Sequence, residues 1–429
     1  MPGAMKGRDI RIGVTGLVIG LLVMAIWNLM SSRRTTLQTA PATRAGPMVG
    51  HVSATSAAIW AYGGPGARWQ ITWWRAGDAA GEADTMPVDS PASNHHVARA
   101  GLTGLEPGTT YRYAMMLDGQ SDPRLEGQFT TAPLPGQPAR FKLAVASCMH
   151  SLKSHASFCL LNAQRPQFML LLGDQVYSDT TDPQKIWHAH LRSRARPEFA
   201  AVIRNVPTYA TWDDHDFVGN GSDGTAKGKD RALAAFKQLW ANPYAGTDTV
   251  PGVFYRFGWG DVDLFVLDAR YHRSPNKAPN DDRKRMLGDD QFEWLVEGLL
   301  ASRARFKIIV QGSALTLDEA DGWLTFDFAR RRIFRTIAQN GIEGVLWLSG
   351  DLHRSLVEVH SRCDTGFYDL YEIISSGIAN SRDLSFATLQ FDTTLPDPTV
   401  RVQIIHGDAT VHHDQTIKLS QLKNEAPTR

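Results

Sequence analysis

The sequence predicts an α/β domain preceded by a small all-β domain and an N-terminal membrane segment. Three observations carry this expectation. From residue 141 onward, short apolar runs alternate with longer helical patterns. Between 47 and 132, short alternating stretches rich in β-branched and aromatic residues are separated by Gly, Pro and Asp turns. Residues 12–32 carry no charge and follow Lys6, Arg8 and Arg11, and a run of about 20 such residues is long enough to cross a hydrocarbon core.

A chain of 429 residues with 43% hydrophobic and 21% charged residues can bury a large core and has room for two or three domains. Its 45 basic and 44 acidic residues nearly cancel. That balance implies no nucleic-acid partner and no general attraction to anionic membranes, so any anion recognition must be local. Cys148, Cys159 and Cys363 are an odd set without a close pair, too few for a disulfide framework. Cys159 and Cys363 read as packed or incidental thiols.

In chain order, residues 1–34 read as a signal segment or, because small-residue cleavage chemistry is poor after Met30, an uncleaved anchor. That places the bulk of the chain outside the cytoplasm, tethered to the cytoplasmic membrane, or in the periplasm if the segment is removed. Residues 35–46 have linker composition. The 47–132 stretch predicts an antiparallel sandwich, with strands over 49–61, 69–74, 95–98 and 110–117. LTGLEPGTTYRY (102–113) resembles the corner of fibronectin type III domains, where Tyr111 ties its hydroxyl to upstream backbone. His95 and His96, adjacent in a strand, would face opposite ways and cannot share a metal. Residues 133–140 form a Pro-rich linker, and 141–415 the α/β domain. Its expected strands are 141–146, 168–172, 208–212, 264–267, 307–310 and 344–348. Its expected helices are 154–164, 183–194, 229–240, 288–301 and 328–339. Residues 416–429 read as a polar tail.

Open α/β sheets gather functional residues beyond the carboxyl ends of their strands. Here those ends are Ser147-Cys148, Gly173-Asp174 through Tyr177, Asp213 through Asp216, Asp268-Ala269-Arg270, and Gly350-Asp351-Leu352-His353. A single Gly-Asp after a strand is commonly only a turn. Five such ends together would gather Asp174, Asp214, Asp216, Asp268 and Asp351, which repel one another unless cations neutralise them. Carboxylates suit Ca²⁺, Mg²⁺, Mn²⁺ or ferric iron, while a thiolate and an imidazole favour a transition metal.

GDQVYSD (173–179), WDDHDF (212–217), LDARYHR (267–273) and SGDLH (349–353), in this order and spacing, closely resemble the alkaline phosphatase D family of metallophosphoesterases. The resemblance runs from about Gly46 to Ala409 and implies an α+β four-layer metallophosphoesterase sandwich, two packed sheets flanked by helices. It further implies hydrolysis of phosphate monoesters or diesters by a metal-bound hydroxide, with Fe(III) and Ca²⁺ as cofactors and Mn²⁺ or Zn²⁺ as substitutes. On the matching positions, Cys148, Asp174, Tyr177 and His353 would bind iron; Asp174, Asp214 and Asp351 would serve the divalent site. His215 would stabilise the transition state or protonate the leaving oxygen, and Arg270 would clamp the phosphate bidentately. The expected enzyme is a phosphoric ester hydrolase acting as a monomer. Arg354-Ser355 and Met149-His150 depart from the family's usual motif neighbours, and a C-terminal lid helix is expected to be short or missing.

Some nearby residues have plainer readings. Asp213 and Asp216 would orient His215 or cap a turn, and Asp268 would hold Arg270 by a salt bridge. Asp179, Asn220 and His150 are motif neighbours. His188, His190, His412 and His413 read as exposed or packed, and Arg192, Arg194 and Arg196 as a solvated helix face or, alternatively, as the lining of an anionic substrate path. Two other functions remain open at this level: a membrane-anchored binding protein with a degenerate enzyme domain, and a metal-dependent hydrolase of another ester.

Overall fold

A computed structural model describes residues 44–78, 83–317 and 322–424. The expected membrane segment, most of the linker after it and the last five residues lie outside the described residues. Among the described residues no helix is long and apolar enough to cross a membrane.

The first seven strands form two facing sheets. Strands β1 (Ala45–Val52), β2 (Ser56–Tyr62) and β5 (Val97–Thr103) make one. Strands β4 (Asp84–Val88), β3 (Trp69–Arg75), β6 (Thr110–Leu117) and β7 (Gln120–Thr130) make the other. The alternation expected from the sequence is visible in β6, where Tyr111, Tyr113, Met115 and Leu117 are buried and their neighbours are not. The Tyr111 hydroxyl accepts the Glu106 N–H at 3.0 Å and closes the corner. One expectation is corrected here. His95 and His96 are not in a strand; both adopt left-handed backbone (φ 48° and 59°) in the turn before β5. His95 stacks on Trp187, with ring centroids 5.6 Å apart.

The remainder is built on two six-stranded mixed sheets. The first runs β10 (Thr208–Thr211), β9 (Phe168–Leu172), β8 (Arg140–Ala146), β17 (Ser385–Asp392), β18 (Thr399–His406), β19 (Val411–Lys418). Its β8, β9 and β10 are parallel, and the last three strands form an antiparallel meander. The second runs β11 (Tyr255–Trp259), β12 (Val262–Val266), β13 (Phe306–Val310), β14 (Val345–Ser349), β16 (Leu370–Ile374), β15 (Leu356–His360). Its four central strands are parallel. One continuous apolar core joins Leu143, Leu170 and Leu389 of the first sheet to Leu264, Ile308 and Leu346 of the second. Rings interlock across it, with Phe168 and Trp259 4.8 Å apart and Phe306 and Phe391 5.3 Å apart.

The helices are α1 (Ser157–Ala163), α2 (Pro183–Arg194), α3 (Pro197–Ile203), α4 (Asp214–Phe217), α5 (Lys229–Leu239), α6 (Asp289–Ala301), α7 (Asp327–Gln339) and α8 (Arg362–Thr365). Asp182 caps α2 by accepting the Gln184 N–H, and Pro183 begins it where no amide hydrogen is needed. The expected polar tail from 416 is also corrected: it starts inside β19, and Ile417 and Leu422 are buried. Cys159 and Cys363 are exposed.

The small sandwich is seated firmly on the α/β part. The Trp60 indole donates to the Gln238 carbonyl at 2.9 Å, the Tyr113 hydroxyl to the Arg204 carbonyl at 2.8 Å, and the His51 N–H to the Ala241 carbonyl at 2.7 Å. The described residues from 44 onward belong to one compact unit.

Candidate metal centre

The strand ends converge as the sequence suggests, and they do so through strained backbone. Cys148, Asp174, Asp179, Asp351 and His353 all take left-handed φ values, from 45° to 72°. Such conformations cost of order 1–3 kcal/mol each and cluster where surrounding structure dictates side-chain direction. Gly173, at φ 108°, lets β9 turn beneath Asp213; a Cβ there would lie 2.5 Å from the Asp213 Cβ.

Three sets of side chains bring their ligand atoms within 4.8 Å of one another: Cys148, Asp174 and His353; Asp174, Asp214 and His215; Asp213, Asp214 and Asp351. Asp174 belongs to the first two sets and Asp214 to the last two, so the sets make one continuous cluster. Tyr177 joins it through its hydroxyl, 2.9 Å from the His353 Nε2. All six expected ligands therefore meet. The Cys148 sulfur is fully buried, 3.6 Å from the Asp174 Oδ2 and 3.1 Å from the Ser376 hydroxyl.

Electrostatics states what this cluster lacks. Burial pushes the Asp174 carboxyl well up from its ordinary range, and the neighbouring Asp214, Asp213, Asp216 and Asp351 push it further. Its Oδ1 is buried without a hydrogen-bond partner, as is Oδ2 of Asp213. Burial likewise raises the Cys148 thiol, helped by Asp174 and Asp351. Burial raises Asp216 to about 8 although it accepts the N–H groups of Val176, Gln175 and Asp213. Asp214 is the exception. Burial works to raise it, but Arg270 and the N–H groups of Gly221 and His215 bring it below the ordinary value. Buried carboxylates with open lone pairs beside a thiol and an imidazole are the donor set that fits cations, which would satisfy the lone pairs and reverse the upward shifts.

His215 sits beside the cluster, its ring centroid 4.2 Å from that of Tyr177, with Nδ1 2.6 Å from the Asp179 Oδ1. Asp179 thereby fixes the ring's orientation, a role not assigned to it from the sequence although it closes the GDQVYSD motif. Arg270 departs from its expected place. It is fully buried, with Nε 2.6 Å from the Asp213 Oδ1, Nη1 on the Ser222 carbonyl and Nη2 on the Ser313 hydroxyl. A guanidinium held in this way braces Asp213 from behind and is not an exposed phosphate clamp. Asp268 does not pair with that guanidinium either. Its carboxylate accepts the Trp212 indole and the backbone N–H groups of Val253, Arg270 and Tyr271, locking the LDAR turn. Ser376 and Asn380 had no sequence signal, because they come from the loop after β16.

Comparison with known proteins places this arrangement. Residues 143–382 match the model of the PhoD-like phosphatases, more than half of the chain. The chain belongs to the PhoD-like phosphatase family. Residues 40–133 match a domain of unknown function, DUF7800. Alkaline phosphatase D of Bacillus subtilis (strain 168) is 23% identical over 314 residues, which are 61% of this chain and 54% of that protein. The chain thus spans about half the length of this curated relative. The solved structure of PhoD superposes with a TM-score of 0.68 at 17% identity, covering 88% of this chain and 92% of that one. Purple acid phosphatase PPD1 from yellow lupin (Lupinus luteus) seeds superposes with 0.65 at 12% identity, covering 89% and 75%. These two likenesses speak for the fold alone, a mixed α/β architecture.

Proposed function

We propose that this PhoD-like protein is a metal-dependent hydrolase of phosphoric monoesters or diesters. The observation that carries the reading is the cluster of Asp174, Asp214, Asp351, Cys148, Tyr177 and His353, in which burial and the neighbouring carboxylates push the Asp174 carboxyl towards neutrality unless a cation shares it. Cys148, Tyr177 and His353 supply donors suited to a ferric ion, and Asp214 and Asp351 oxygens suited to Ca²⁺ or another divalent ion, with Asp174 between them. Bound there, such ions supply positive charge against the phosphate oxygens and lower the pKa of water.

The chain's own groups do the rest. His215, held at Nδ1 by Asp179, keeps Nε2 for the charge developing on the phosphoryl oxygens or for the leaving oxygen. Arg270 fixes Asp213 and depresses Asp214, keeping that carboxylate ionised and ready to bind. Tyr177 covers His353 and presents a ring face to His215. The uncharged stretch at residues 12–32 supports an extracytoplasmic enzyme tethered at its N-terminus. Protease protection of the bulk of the chain in intact cells would overturn that placement.

The test of the activity is elemental analysis of the purified protein together with nitrophenol release from aryl phosphate mono- and diesters. The expected result is bound iron plus a divalent ion, activity that is lost on chelation and restored by adding the metals back, and a visible absorbance band altered in Tyr177→Phe. Protein loaded with both metals yet inert towards both esters would defeat the proposal.

A further inference from the structure

The seam between the small sandwich and the α/β part holds a cavity of about 410 Å³ whose walls include none of the metal-cluster residues. Both sides of the seam build it. Arg44 stands just before β1, Trp69 opens β3, and Asp122 and Arg124 belong to β7; across from them Arg194 ends α2 and Arg204 follows α3. Four arginines thus share the cavity with one carboxylate.

That carboxylate is already taken. Arg124 grips Asp122 with Nη2 at 2.7 Å from Oδ2 and Nε at 3.1 Å from Oδ1. Arg204 donates from Nη1 to the Arg124 carbonyl at 3.3 Å, and among the described residues neither it nor the exposed Arg44 has a carboxylate within salt-bridge distance. Arg194 is buried and not on a solvated helix face. Its guanidinium lies 4.5 Å from the Trp60 ring and 4.6 Å from the Trp240 ring, with Nη2 on the Leu239 carbonyl at 2.6 Å. Its Nε and Nη1 are buried without a hydrogen-bond partner, as is the indole N–H of Trp69. The sequence before Arg44 offers no remedy, because residues 10–43 contain neither Asp nor Glu. Buried donors nearly always find an acceptor, and a buried charge is retained at a cost unless it is paired. Three of the four arginines here have no such partner.

We propose that this cavity is a binding site for inorganic phosphate, separate from the metal cluster, in which Arg44 and Arg204 grip the anion and Arg194 adds positive charge from the buried wall. Guanidinium forks match a tetrahedral oxyanion with paired N–H donors, which a point cation does not. The charge of Arg194 acts through an interior where little water screens it. Asp122 opposes the anion and keeps the site from being purely basic. Because Arg44 enters from the sandwich and Arg204 from the α/β part, the bound ion also staples the seam, and it stabilises the folded chain by mass action. The site is independent of the hydrolase reading.

The experiment is equilibrium dialysis of metal-loaded protein against radiolabelled inorganic phosphate. Wild type is expected to hold one phosphate per chain more than the Arg44→Ala, Arg204→Gln double variant, whose metal content should be unchanged. Arg44→Ala alone, at an exposed position, should weaken the same binding event several-fold and carries the test should the double variant fold poorly. Asp122→Asn, which removes the opposing charge, should tighten it several-fold, an effect that a merely structural role for these residues would not produce. Arg68→Ala, exposed on the small sandwich, serves as the control and should bind as wild type does. In thermal melts, phosphate should raise the wild-type midpoint by several degrees more than that of the double variant, with chloride at equal ionic strength as the reference. Equal numbers of bound phosphates in wild type and both Arg44 variants would overturn the proposal, as would an Asp122→Asn protein that binds phosphate no better than wild type.

Discussion

At the scale of single residues, the site divides into groups that meet the substrate and groups that aim them. Under the proposed function His215 is of the first kind, and Asp179 of the second through its 2.6 Å contact. Removing a general acid or a transition-state donor typically costs about 10²–10⁴-fold, so His215→Asn should lower kcat by that order with little change in KM. Losing an orienting carboxylate typically costs about 10–100-fold, and Asp179→Asn should fall in that lesser range while metal content is unchanged. Equal losses for the two variants would show that Asp179 does more than orient the ring. Arg270 yields a different prediction because it is buried against Asp213. Removing one partner of a buried pair typically destabilises by about 3–5 kcal/mol. Arg270→Ala should therefore lower the denaturation midpoint and the metal content together. A variant of unchanged stability whose KM alone rises would return Arg270 to the role of phosphate clamp.

At the scale of elements, the sequence was most legible where burial is complete on both faces. The strands expected at 141–146, 168–172 and 307–310 stand out as apolar runs, broken only by Lys142 and Lys307, because parallel strands between covering layers need no polar alternation. The C-terminal meander escaped this reading for the same physical reason. Strands β18 and β19 are half-exposed and carry Arg401, Gln403 and Asp414 among their apolar positions, so they resemble polar loop or tail. The site followed the strands: ligands placed directly after apolar runs were legible, while Arg270 was misplaced because a sequence does not show which way a side chain turns after a strand. The turn after β9 makes a strict local demand. Gly173→Ala puts a Cβ into Asp213 at a φ that L residues resist. The expected cost is about 1–3 kcal/mol or more, along with reduced metal occupancy, measured by denaturation and elemental analysis. A stable, fully metallated alanine variant would show that the turn tolerates another course.

At the scale of the whole molecule, the small sandwich and the α/β part share buried contacts, so residues 44–424 should unfold in one transition. Gly127 makes the seam tight: a Cβ there would stand 2.1 Å from the Arg204 carbonyl oxygen. Gly127→Ala should consequently lower the single midpoint and not split it. Acid should open the same seam through His51, whose ring meets Tyr209 and Phe257 edge-on. Burial lowers its pKa from 6.5 to about 4. Between those two values the unfolded chain holds more protons than the folded one, so stability is complete above about 6.5 and falls as the pH drops towards 4. The loss attributable to this one ring is at most about 3 kcal/mol. His155, similarly lowered to about 4 by burial, adds to the slope in the same window. Thermal melts of wild type and His51→Gln at pH 7.5 and 5.0 test the seam directly. The variant should start less stable but lose less on acidification, and an identical acid sensitivity in both proteins would exclude His51 as the group that responds.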